Sequence, residues 1–119
     1  MRRPWALTRI VADELADHAS ARRAGDVAGA WRALESAHIA SQARLGFHIR
    51  VHLAMLAYAI RLHQPREIAG QLARLALAPL GAMMGRIPRG NTGRSNVSAF
   101  RPMPIPADLA ARMNDEARR

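Results

Sequence analysis

Apolar positions along this chain recur at helical steps, and the breaks between the runs fall at glycine, aspartate and proline. Leu7, Val11 and Leu15 share one face with Glu14 and His18, the three- and four-residue spacing of an amphipathic helix. Pro4 suits a first helical turn and Gly25 a C-terminal stop, so the first helix is predicted from about Pro4 to Ala24. Asp26 is a natural N-cap for a second helix reaching Ala40 or Ser41, with Ala30, Trp31, Leu34, Ala37 and His38 facing inward. A third helix is expected over Leu45–Leu62, ended by His63-Gln64-Pro65, and a fourth from Pro65 towards Met84, with Pro79 as a kink or early stop.

Beyond Gly85 the pattern changes. The stretch through Asn96 is turn-rich, Phe100–Pro106 is expected to be extended with polyproline character, and a short helix from Pro106 to about Asn114 follows. The expected architecture is all-α: a four-helix array of two helical hairpins with an extended C-terminal segment. Residues 1–84 form the hairpin domain, and 85–119 pack onto it as part of one domain. The stretch Arg22-Arg-Ala-Gly-Asp26 followed by Ala30, Leu34, Glu35 and Ala37 resembles the middle of a tetratricopeptide unit. It covers about one unit, whereas a peptide-binding superhelix needs about three.

Composition agrees with helix and narrows the chemistry. Half of the 119 residues are hydrophobic and only 4% are aromatic, with Ala and Leu prominent. The absence of cysteine excludes disulfides and thiolate metal sites and fits a reducing, cytoplasmic setting. Arg9, Asp13 and Glu14 interrupt the N-terminal stretch too early for a signal-peptide core. Val51–Ile60 is too short to span a bilayer and Ile68–Met84 is broken by Arg74, so a soluble protein is expected. The net charge is +9 and every basic residue is Arg. These arginines are scattered and not interleaved with the aromatics, so a solvated basic surface is favoured over a nucleic-acid interface.

Five residues carry the chemical interest: Glu14, Glu35, His38, His48 and His52. Glu35-x-x-His38 and His48-x-x-x-His52 each place two side chains on one helix face, as a metal ion bound by paired ligands requires. At 100° per residue, His48 and His52 each lie about 160° from Arg50 and so point into the bundle. His38 and His48 are equally far in sequence from a turn at about Ala43, Glu35 and His52 nearly so, and Glu14 reaches the same level across the first hairpin. Three imidazoles with one or two carboxylates suit Zn, Fe, Mn, Ni or Cu(II). The competing reading is a buried His/Glu network that fixes helix register inside a helical interaction module, with a homodimer or protein partner on the apolar faces of the fourth helix. Met55 reads as core and His18 as a boundary histidine. No zinc-protease motif, phosphate loop or nucleophilic triad is present, so an enzyme is not expected unless a metal keeps an open position.

The string Gly90-Asn-Thr-Gly93 to Asn96-Val-Ser-Ala-Phe100 offers either an anion nest beside Arg94 or, preferably, a structural loop. In the loop reading, Asn and Ser cap helix ends and Phe100, Met103 and Ile105 seal the core. With Pro102-Met-Pro-Ile-Pro106, and with Ala37-His38 and His48-x-Arg-Val-His52 before it, this string resembles a family of small bacterial proteins classed as a domain of unknown function. The resemblance covers nearly the whole chain. It implies a metal-related role, through a connection with heavy-metal resistance, and no defined activity. The sequence therefore points to a metal-binding accessory protein for buffering, sensing or delivery.

Overall fold

A computed structural model describes residues 4–84 and 89–118, and every described element of regular structure is helical. The helices are α1 (Pro4–Arg23), α2 (Val27–Ser41), α3 (Leu45–Arg61), α4 (Pro65–Met83) and α5 (Ala107–Arg118). The order follows local chemistry. Gly25, at φ +75°, closes α1 in a left-handed turn: its N–H reaches Arg22 O, and that of Asp26 reaches Ala21 O. Asp26 then caps α2, its carboxylate accepting from the Gly29 N–H at 2.9 Å. The end of α3 has the same hydrogen-bond pattern, but His63 takes the left-handed position at φ 54°.

α1 packs on α2 and α3 on α4; α2 meets α3, and α5 lies against α1. Between them sits a core built from Ile10, Val11, Leu34, Val51, Met55, Tyr58 and Leu109. α4 runs through Pro79 to Met83, where a kink or stop was expected. Pro79 is exposed, so its ring and the bond it deletes lie on the solvent side, where the disruption costs least. The last helix is longer than its predicted span, because Leu109 enters the core and Arg112 pairs with Glu14 of α1. The turn expected at residues 85–88 lies outside the described residues.

From Arg89 the chain crosses α2 and α4 without regular structure. Gly90 donates its N–H to Gln42 Oε1 at the end of α2, and Met103 N–H reaches Arg89 O. Gly90 has φ +79°, and a Cβ there would lie 1.8 Å from Met103 O. Asn91 knits the loop from inside: its Nδ2 donates to Ser98 O and Arg101 O, and its Oδ1 accepts from Gly93 N–H. The segment is thus a structural loop, as preferred: Asn91 binds the loop itself rather than capping a helix, and Ser95 and Arg94 tie it to Glu67 of α4. Phe100, expected to seal the core, is 68% exposed.

Candidate metal centre

α2 contributes His38, and α3 contributes His48 and His52 one turn apart on its inward face. All three are buried. Their Nε2 atoms form a near-equilateral triangle. His38 to His48 is 3.0 Å, while His38 to His52 and His48 to His52 are each 3.1 Å. Three nitrogens this close together would hold a single transition-metal ion at ordinary ion–nitrogen bond lengths of about 2.0–2.1 Å.

The other ring nitrogens decide where the protons are. His38 Nδ1 lies 2.7 Å from Asn91 O, which can only accept, so Nδ1 carries the proton. His52 Nδ1 lies 2.7 Å from Gln71 Oε1. That amide is oriented by its own Nε2, which donates to Glu67 Oε2 and Gly93 O, both at 2.9 Å. His52 therefore also carries its proton on Nδ1. Burial holds His38 well below the ordinary imidazole range, reinforced by its two neighbours, and lowers His48 from 6.5 to about 4. Burial also lowers His52, against the opposing hydrogen bond to Gln71. All three are neutral at pH 7, and the Nε2 atoms of His38 and His52 are bare lone pairs. Only His48, whose Nδ1 has no partner among the described residues, is free to choose its tautomer.

A polar network braces the triangle from α4 and the loop. Glu67 accepts from Gln71 Nε2, from both Ser95 donors on Oε2, and from Arg94 Nε at 2.5 Å on Oε1. Burial raises the Glu67 pKa, but the bonds from Arg94, Gln71 and Ser95 outweigh it and keep the carboxylate ionised. The Arg94 guanidinium lies over the Trp31 ring at 3.8 Å. Arg74 ties α4 to the loop by donating to Arg94 O at 3.0 Å and Val97 O at 2.6 Å. Gly93 packs flat on the His38 ring: at φ +82°, an added Cβ would lie 2.6–2.8 Å from three ring atoms.

The two carboxylates expected at this site are held elsewhere. Glu14 is buried against Arg112 of α5. Glu35 sits 3.6 Å from Arg94, its pKa raised by burial against the opposing effect of that arginine. Among the described residues, the ligand atoms that gather within 4.8 Å are those of His38, His48 and His52. His18 bonds Ala30 O through Nδ1 at 3.0 Å and meets the Tyr58 ring edge-on, a structural role, though it is buried rather than at the boundary where it was expected. Met55 is fully buried core. Sequence reasoning did not find Gln71, Glu67 or the Asn91 carbonyl. The i,i+4 spacing of Glu67 and Gln71 within an apolar helix was the available signal for the first two.

Fold and site together define an all-helical protein with a buried tri-histidine cluster. The chain belongs to the family of proteins of unknown function designated DUF3703, whose model matches residues 6–113. No curated protein and no solved structure matches it.

Proposed function

We propose that this protein binds one transition-metal ion through the Nε2 atoms of His38, His48 and His52, and serves in metal buffering, sensing or delivery. The observation that carries the reading is the contact between His38 and His52. Their Nε2 lone pairs meet at 3.1 Å, and the partners of both rings leave no proton to place between them. A purely structural network has one N–H, that of His48, to serve three close contacts; a cation serves all three at once. Each fixed ring donates its distal N–H to an oxygen acceptor, the arrangement that orients histidine metal ligands. Three imidazoles without a carboxylate favour Zn, Cu, Ni or Fe over Mn. Glu14 and Glu35 then act outside the ion's own coordination, as parts of the surrounding frame.

The deciding measurement is metal content by mass spectrometry on untagged protein purified without chelator, beside a His48→Ala/His52→Ala double variant. Near-stoichiometric metal in the wild type, lost in a folded variant, is expected. A wild type that stays metal-free after titration with Zn, Cu, Ni, Fe and Mn would overturn the proposal.

A second reading, a helical interaction module, draws on Leu72, Leu80 and Met83, which lie exposed on α4. Self-association that is indifferent to metal, measured by light scattering, would favour it.

A further inference from the structure

The three histidines line a cavity of about 60 Å³ whose wall is completed by Arg74, Leu77, Ala78 and Ala99. A space of that size holds a few water molecules. It touches all three rings and so borders the tripod. The charges around this space do not balance. Three neutral imidazoles, all buried, leave a divalent ion with both its charges. Arg74 adds a third, lining the same cavity as His38 and His52. Its buried Nε has no acceptor among the described residues. No described carboxylate joins the histidine group, and the two that meet Arg94, Glu67 and Glu35, share that one arginine, so together they set a single negative charge against the three positive ones. Buried like charges of this kind persist only with a counter-charge between them.

We propose that the tripod keeps an exchangeable coordination position facing this cavity, and that the position takes a compact anion, of the size of azide or bicarbonate, held between the metal ion and Arg74. This rests on the metal reading above and deepens it. The anion supplies the negative charge that the protein withholds, and the walls formed by Leu77, Ala78 and Ala99 keep the site small. Arg74 is a positioning residue: its guanidinium faces the anion rather than the metal.

Cobalt(II) separates the two levels of the proposal, because its visible absorption reports both binding and coordination number. Protein loaded with Co(II) is titrated with sodium azide, then with bicarbonate. The expected result is a Co(II) spectrum that changes saturably with each anion. In Arg74→Met the spectrum without anion persists and azide binds about tenfold more weakly. Arg74 also braces the loop, so Ala99→Met is the companion variant. It narrows the cavity, removes no hydrogen bond, and should keep the Co(II) spectrum while losing the azide response. A Co(II) spectrum in the wild type that ignores both anions overturns the inference and leaves the metal reading standing. An azide response unchanged in both variants overturns the placement in this cavity. Absence of any Co(II) spectrum, in a protein that also stays metal-free in the titrations above, removes the metal reading and the inference together.

Discussion

Two buried histidine environments lie in one small bundle, and they differ in what their second nitrogen meets. At one end His18 gives Nδ1 to the Ala30 carbonyl and sets its ring against Tyr58. At the other, His38 and His52 are anchored just as firmly through Nδ1, but their Nε2 atoms converge with that of His48 to within 3.0–3.1 Å. Burial lowers the pKa of both kinds, so neutrality alone does not distinguish a ligand from a structural ring. The difference is the unspent lone pairs, which the first site does not gather and the second aims at a single point.

The sharpest break in this comparison comes from the same substitution at each end. His48→Leu is expected to abolish metal binding. In metal-free protein it should change stability by no more than about 1 kcal/mol, because the loss of the His48 N–H shared with His38 and His52 is set against relief of the crowding among three ring nitrogens. His18→Leu should do the reverse, keeping full metal binding and costing about 1–2 kcal/mol for the lost buried hydrogen bond. Metal titration by calorimetry, paired with urea unfolding of both variants, reads the contrast directly. Metal loss in His18→Leu, or its retention in His48→Leu, would erase the distinction.

The metal-free protein also carries the difference in its pH dependence. An unfolded histidine takes its proton near 6.5, whereas native His48 takes it only at about 4. Between these values the unfolded chain binds more protons, so stability is full above pH 6.5, falls as pH drops, and is lost through pH 4. For His48 alone the change is about 3 kcal/mol. Thermal unfolding across pH 4–7 should show it, and His48→Leu should flatten the curve. A wild-type curve already flat over that range would mean that the ring is protonated or exposed in the native state.

Support of the rings should matter less than the rings themselves. Gln71→Leu removes the acceptor that fixes His52 and is expected to weaken metal binding about 10- to 100-fold while leaving the stoichiometry intact. Competition against a chelator of known affinity measures it. Unchanged affinity would show that the packing of α3 orients His52 without help.

How much of this could be read from sequence follows the range of the interactions involved. The ends of α1, α2 and α4 were legible because Gly25, Asp26 and Pro65 act on their own backbone. The level and facing of His38, His48 and His52 were legible because a helix fixes both by counting, and two adjacent helices joined by a short turn preserve the count. The count places Glu14 and Glu35 at that level too, yet it says nothing of partners arriving from remote segments. Arg112 lies 98 residues from Glu14, and Arg94 approaches Glu35 from the loop. The role of Gly93 was likewise out of reach, since its need for a bare Cα comes from a ring 55 positions earlier, 93 minus 38. Phe100 misled because an aromatic residue among prolines suggests burial, whereas the loop is held by Asn91, Arg74 and Glu67 instead.

The carboxylates give the smallest effects and test the boundary of the site. Glu14→Gln keeps the size and an acceptor oxygen facing Arg112 but removes the charge. The arginine side chain is 41% exposed, so solvent screens the pair and the expected cost is at most about 1 kcal/mol. Metal affinity should stay within about twofold, well under the 1.4 kcal/mol that a tenfold change represents. Glu35→Gln should behave similarly, because Arg94 keeps its bond to Glu67 and its place over Trp31. A loss of affinity approaching that of Gln71→Leu in either variant would mean that the carboxylate swings from its arginine to the ion. The separation between frame and ligands would then be a property of the metal-free fold alone.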